Sequence, residues 1–402
     1  MDYILPLADD SFGEEEKHAM LSVIDSGNYT MGERVEEFEE AFSNWIGTSH
    51  SVMVNSGSSA NLLLVYSQIV SSFQKDLLKP GDEVLVPALL WPTTIWPLIQ
   101  FGLKPVLVDI CLDSLAMDLD DSQKKITSKT KAIFLIHVLG YACDMTKYVH
   151  FCQSNNLFLL EDCCESFGAF DNSKHVGSFG KGGTFSHFFS HHLTTMEGGT
   201  ITSNSLELSD DLKSMRAHGW VRNRSDIKKL SNHYKKLDKR FLFLMPGFNV
   251  RPMEIQAAVG LVQLSRMDEL LSHRDYFAKY IIDSFAGIDW LRVAGANRNR
   301  INVKRESRNH SWMNISFIIE ENCPVLLSEV VKIFENFGIE TRPIITGNFA
   351  NQPAAKYISQ ITSYPNAQII SDRGFMIGCH ATKISELLSE SINAVSAKLS
   401  SL

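Results

Sequence analysis

The sequence predicts an α/β protein built on a mostly parallel sheet, with a smaller domain behind it. Three observations predict that class. Short apolar runs alternate with helix-period segments through the first half of the chain. The runs are apolar at nearly every position, as in strands buried on both faces. A long helical segment, 253–271, then leads into a C-terminal part from about residue 275. A length of 402 residues suits one large domain and a smaller one, placed here at 1–255 and 256–402.

The elements follow in order. HSVMVNS (50–56) reads as a buried strand and SSANLLLVYSQIV (58–70) as the helix after it. EVLVP (83–87) and KPVLVDI (104–110) are strands. KAIFLIHV (131–138) is the next, and LFLLED (157–162) follows a helix near 144–155. In such sheets ligands bind beyond the carboxyl ends of the strands. The stretch from Val84 to Phe101 carries no charge over a length that would span a bilayer. Its three prolines and two threonines favour strand, loop and helix entering a buried core instead. The basic segment 222–240 reads as a solvated loop, or as a source of cations for a phosphate on a ligand or neighbouring subunit.

Charge and cysteines bound the function. A net charge of -8 argues against non-specific nucleic-acid binding, so no nucleic-acid partner is expected, and the interrupted 84–101 stretch leaves no membrane partner expected either. Seven scattered cysteines without a C-x-x-C pair suggest reduced thiols and a cytoplasmic protein, and MDYILPLADD does not read as a signal peptide. Cys163 and Cys164 are adjacent on a strand and point to opposite faces, so no metal site is expected from them.

Several residues sit where chemistry would need them. Gly57 permits a tight turn, and Ser58 and Ser59 follow at a helix start, either as caps or as a phosphate cradle. Asp162 ends an apolar strand, where a carboxylate needs a partner: a protonated heterocyclic nitrogen, a salt bridge or a helix cap. Trp91 follows the strand at 83–87, as a core residue or as a plate for a flat ring. SHFFSHHLTTMEGG (186–199) sets His191 and His192 side by side.

Taken together, these stretches resemble a known family. NSGSSANL, PALLWPTT, LEDCCESFGA, EGGTI, RAHGW and PGFNVRPMEIQAAVGLVQL are similar to motifs of the DegT/StrS nucleotide-sugar aminotransferases, and the likeness covers nearly the whole chain. It implies an aspartate aminotransferase-like (fold type I) large domain with a mostly parallel mixed sheet, plus a smaller C-terminal α+β domain. It implies pyridoxal 5'-phosphate or pyridoxamine 5'-phosphate as cofactor. Gly57, Ser58 and Ser186 match the phosphate site, Trp91 the ring-stacking position, Asp162 the acid on the pyridine nitrogen and Glu165 the neighbour of the ring oxygen. Asn249 matches a residue that reaches the partner's phosphate, which implies a homodimer with shared active sites.

Two departures matter. Family members usually carry lysine, the Schiff-base residue, where His191 stands, so the resemblance implies a cofactor held non-covalently. A histidine-bearing branch consists of nucleotide-sugar 3-dehydratases, and RAHGWVRN, HSWMN and ETRPIITGNF resemble it. That branch implies His191 as the proton-transfer residue of a dehydration, a nucleotide-diphospho sugar as substrate (GDP-4-keto-6-deoxy-D-mannose) and L-glutamate as amino donor. A sister branch carries an iron–sulfur cluster; two of its cysteines would fall near Arg224 and Asp226, so no cluster is expected. Met196 stands where glycine is usual, and either narrows the pocket or alters a turn. His192 and Glu197 are candidate substrate contacts, His192 with the alternative of pointing away. Arg251 and Arg342 are candidate anion contacts or surface ion pairs.

Overall fold

The computed structural model describes residues 3–8, 10–298, 303–358 and 361–402. Seven strands form the main sheet: β1 (His50–Val54), β2 (Glu83–Pro87), β3 (Lys104–Val108), β4 (Thr130–Ile136), β5 (Phe158–Asp162), β8 (Gly183–Ser186) and β9 (Gly199–Ser203). Between β5 and β8 a small hairpin, β6 (Phe170–Asp171) and β7 (Lys174–His175), stands apart. The sheet order is β1-β9-β8-β5-β4-β2-β3. β9 runs antiparallel to both neighbours and the other pairings are parallel, so the sheet is mostly parallel but mixed.

Burial on both faces explains why the strands read as continuous apolar runs: every residue of β2 and β9 is buried. The acid in β5 follows the same logic. Glu161 points away from the strand's chemistry-bearing face, and its oxygens accept N–H groups of Gly177, Phe179 and Gly180, each at 2.8 Å.

The uncharged Val84–Phe101 stretch resolves into β2, a loop and the short helix Trp96–Gln100. Among the described residues, no helix is long and apolar enough to cross a membrane. Cys163 lies in a buried cluster with Phe42, Phe167 and Phe185, whereas Cys164 faces the cavity described below. Cys111, Cys143, Cys152, Cys163, Cys164 and Cys323 are free thiols. The basic segment is largely exposed and carries a short helix, Ile227–His233. Its start is anchored: Arg224 is buried and pairs with Asp211 at 2.8 Å and Asp226 at 2.7 Å.

The long helix expected over 253–271 is two helices, Glu254–Ser265 and Met267–Phe285. Apolar periodicity continues across the break, so the pattern does not mark it. Arg266 at the joint turns its guanidinium to the carbonyl of Ser11 at 2.8 Å and to Glu16 at 3.2 Å. The first helix lies on Glu14–Ser26 and Glu33–Ile46, and Gly260 is needed there, since a Cβ would meet the Phe38 ring at 2.6 Å. We therefore propose Arg266, not residue 255, as the boundary between the two parts.

The smaller part is a four-stranded antiparallel sheet, β10 (Leu291–Val293), β11 (Asn314–Ile319), β12 (Thr341–Arg342) and β13 (Gly374–Gly378), in the order β10-β11-β13-β12. Its core unites the sheet with Met267–Phe285, Leu327–Asn336 and Glu386–Ser400. Leu5 joins that core through a bridge to Ile339. The sequence does not signal this return of the N-terminal segment.

Buried histidines give the fold a pH dependence. His175 accepts the Gly168 N–H on Nε2 at 2.8 Å, and His310 accepts the Trp312 N–H on Nδ1 at 3.1 Å, so both are needed neutral. Burial pushes each down to about 3. The unfolded chain takes up their protons at about pH 6.5, so the stability they confer is complete above that value and lost as pH falls toward the folded pKa. The loss is about 2 kcal/mol each by pH 5. Burial pushes Asp275 up to about 6, which acts in the opposite direction, so the diagnostic quantity is a difference. Denaturant unfolding of His175→Gln between pH 7 and pH 5 is expected to show a shallower loss of stability than wild type, by about one proton. Parallel curves would contradict this account of His175.

Candidate active site

Three strand ends meet where the main sheet opens. Gly199 at the start of β9 lies in register with Val54 of β1 and Ser186 of β8. The approach is so close that a Cβ on Gly199 would lie 2.3 Å from the Ser56 carbonyl oxygen, and one on Gly57 would lie 2.5 Å from the Ser186 Cβ. From this junction the helix Gly57–Ser67 departs, with Ser56 as its N-cap accepting the Ser59 N–H at 3.1 Å. Free N–H groups, the positive end of the helix dipole and the Ser58 and Ser186 hydroxyls make a cradle for an anion.

Asp162 stands across the cavity at the carboxyl end of β5. Its Oδ2 accepts from Asn61 Nδ2 and from Thr94 Oγ1, both at 2.8 Å. Oδ1 accepts the Cys164 N–H at 3.1 Å. Asn61 is itself aligned by Thr184, whose hydroxyl donates to its Oδ1 at 2.6 Å. The carboxylate is thus clamped by three elements while one face remains toward the cavity. Asn61 and Thr94 did not emerge from the sequence; a lone amide in the apolar run NLLLV was the available signal. Trp91 is 57% exposed and lines the cavity, so it is not a core residue.

Glu165 lies in the same cavity and accepts the Leu139 N–H at 3.0 Å. Burial pushes its carboxyl up to about 7, against that hydrogen bond. His191 lines the cavity too. Its Nδ1 is enclosed without a partner, and burial followed by the nearby Arg274 charge lowers its pKa to about 4. The imidazole is therefore neutral and able to accept a proton across the ordinary pH range.

Gly57, Ser58, Trp91, Asp162, Glu165, Ser186, His191, Glu197 and Arg342 thus surround one cavity of about 550 Å³. The smaller part closes it with Met313, Asn314, Pro343, Ile345 and Met376. The set fits a phosphorylated pyridine: an anion cradle that a Cβ would fill, a clamped carboxylate, an aromatic plate and an orphaned imidazole nitrogen.

The sequence model of the DegT/DnrJ/EryC1/StrS aminotransferase family matches residues 10–400. The chain belongs to that family. It is 37% identical to GDP-4-keto-6-deoxy-D-mannose 3-dehydratase of Yersinia pseudotuberculosis, over 96% of this chain and 97% of that protein. It superimposes on the E. coli GDP-4-keto-6-deoxy-D-mannose-3-dehydratase with bound hydrated PLP with a TM-score of 0.88 at 35% identity, covering 98% of this chain and 100% of that one. A GDP-4-keto-6-deoxymannose-3-dehydratase structure with a trapped PLP-glutamate geminal diamine matches equally, with a TM-score of 0.88, 35% identity and the same coverage.

Against the family pattern, some candidates fall elsewhere. His192 is 3% exposed, its Nε2 engages the Ser311 carbonyl at 3.0 Å, and it points away from the cavity. Asn249 and Arg251 bond to each other at 3.0 Å and line a separate groove with Lys213, Trp220 and Arg222. Arg342 forms the surface ion pair, with Glu340 at 2.9 Å, and also borders the cavity. Met196 has φ of 69° and does not line the cavity. The glycine usual there suits a left-handed turn, and Met196 occupies that turn at a cost of about 1 kcal/mol or more.

The cradle makes a direct prediction. Gly57→Ala places a methyl against Ser186 Cβ and Cα, and no rotamer of Ser186 relieves it. Titrated with pyridoxal phosphate and followed by absorbance, this variant is expected to bind at least about tenfold more weakly, on the order of 1.4 kcal/mol. Unchanged affinity would remove the cradle from the phosphate site.

Proposed function

We propose that this protein is a pyridoxamine phosphate-dependent 3-dehydratase of a nucleotide-linked 4-keto-6-deoxy sugar. The substrate we assign is GDP-4-keto-6-deoxy-D-mannose, with L-glutamate restoring the amine form of the cofactor. One observation carries the reading: His191 shares the cavity with Asp162, and no lysine is among the described residues that line it. The likeness to 3-dehydratases over nearly the full length supports it.

When bound, the cofactor supplies an amine that condenses with a ketone and a ring that accepts electrons. Everything else falls to the chain. The Gly57–Ser58 turn and Ser186 hold the phosphate. Asp162, kept rigid by Asn61 and Thr94, holds a proton on the pyridine nitrogen. Trp91 covers the ring face and limits water. His191 accepts a proton from the carbon attached to the ring and returns one to the C3 hydroxyl as it leaves. Hydroxide is a poor leaving group, and a conjugate acid as strong as protonated His191 is suited to assist it. A lysine at this position would capture the aldehyde form and favour amine transfer; an imidazole makes no such bond.

We also infer a cytoplasmic homodimer. Asn249 and Arg251 stand outside their own chain's cavity beside Lys213 and Arg222, where they would serve a phosphate or diphosphate bound mainly by the partner. That arrangement supports shared active sites.

The holoenzyme is to be incubated with glutamate and GDP-4-keto-6-deoxy-D-mannose. A product lighter by one oxygen atom is expected, with one ammonia and one 2-oxoglutarate per sugar. An amino sugar would instead identify an aminotransferase. His191→Asn is expected to slow dehydration by about 10²–10⁴-fold while binding the cofactor normally.

A further inference from the structure

The HSWMN segment, His310–Asn314, reaches the cavity wall with Met313 and Asn314. Its backbone is unusual. Trp312 has φ of 52°, a left-handed conformation that a bulky residue seldom adopts. Its indole lies flat on His310, with centroids 3.7 Å apart. The carbonyls of the segment are engaged in turn. That of Ser311 meets His192 Nε2 at 3.0 Å, and those of Trp312 and Met313 each accept from Arg274 Nη1 at 3.3 Å. The Cys379 carbonyl accepts from the same nitrogen.

Arg274 comes from the helix Met267–Phe285 and is 5% exposed. Among the described residues, no carboxylate lies within ion-pairing distance of it; adjacent Asp275 is committed to Arg308 at 2.9 Å. A buried guanidinium balanced only by carbonyl dipoles keeps a field that water and salt screen poorly. Such an arrangement is costly to the fold.

We propose that Arg274 is a positioning residue for the elimination. It holds the Ser311–Met313 strap against His192, the neighbour of His191, and its unpaired charge keeps His191 in the proton-accepting form. This rests on the reading of His191 as the proton-transfer group. The other titratable and charged groups around His191 are His187 and His192 on its own loop, and Asp162, Glu165, Glu197 and Arg342 around the cavity. Glu165, pushed up to about 7, is almost wholly protonated near pH 4, where His191 titrates, and does not cancel the cation there. Burial is the larger cause of the lowered basicity of His191 and His192, and Arg274 is the next for both.

The test is an NMR titration of the histidine ring carbons, in the protein with and without pyridoxal phosphate. The His191 signal is assigned by its loss in His191→Asn. Without cofactor, wild-type His191 is expected to titrate near pH 4. Arg274→Gln keeps N–H donors for the carbonyls and removes the charge; it is expected to raise that midpoint by about one unit, and Arg274→Lys to leave it in place. The acid limb of kcat/KM for dehydration should move with it in Arg274→Gln. A purely structural role would lower the rate at every pH and leave the limb where it is. A folded Arg274→Gln with an unmoved midpoint overturns the proposal. So does wild-type His191 titrating at its ordinary value of about 6.5, which needs no variant to fold. Full dehydration by His191→Asn would instead sink the functional reading, whatever the titration shows.

Discussion

The clamp on Asp162 is the interaction on which the site depends. A carboxylate at the end of a buried strand is expensive unless its oxygens are engaged. Here the partners come from different places in the chain: Asn61 from the helix that begins at the anion cradle, Thr94 from the loop after β2, and the Cys164 N–H from the turn after β5. Satisfying the acid therefore fixes the distance from cradle to carboxylate, and with it the size of ring that fits between them. Thr184 extends the chain of bonds into β8, the strand that ends at Ser186. One network sets both ends of the cofactor site.

Around that frame, neighbouring histidines are given different work by what they touch. His192 is spent on the Ser311 carbonyl and the smaller part's wall. His187 is buried and engages Thr200 at 2.7 Å. His191 alone of the three lines the cavity, with an unpartnered ring nitrogen. Low basicity makes the conjugate acid strong, which suits protonation of a departing hydroxyl at the expense of strength as a base. The smaller part is more than a lid in this account. Its HSWMN segment carries the contacts that tie Arg274 and His192 to the cavity wall.

Much of the architecture was legible because burial on both faces leaves an unambiguous mark on β1 to β5. The reversed direction of β9 was not, since GTITS carries no sign of which way it pairs. Nor was the break at Arg266, because the joint is made by side-chain bonds to Ser11 and Glu16 and not by a glycine or proline. In the site, Gly57 and Asp162 could be found from a turn and from a charge at a strand end, whereas Ser186 came only with the family resemblance. Asn61 and Thr94 could not, because a polar residue in a helix or loop is ordinary until its partner is known. His191 and His192 are adjacent and chemically identical in sequence; a hydrogen bond from the far part of the chain separates them. The meaning of Met196 lay in its φ angle, which no residue name discloses.

The central claim is that the resting protein holds its coenzyme without a covalent bond. Borohydride reduction of the protein loaded with pyridoxal phosphate, followed by intact-protein mass measurement, tests it most directly. A chain of unmodified mass and released, reduced coenzyme is the expected result. A stoichiometric pyridoxyl adduct on a lysine would contradict it.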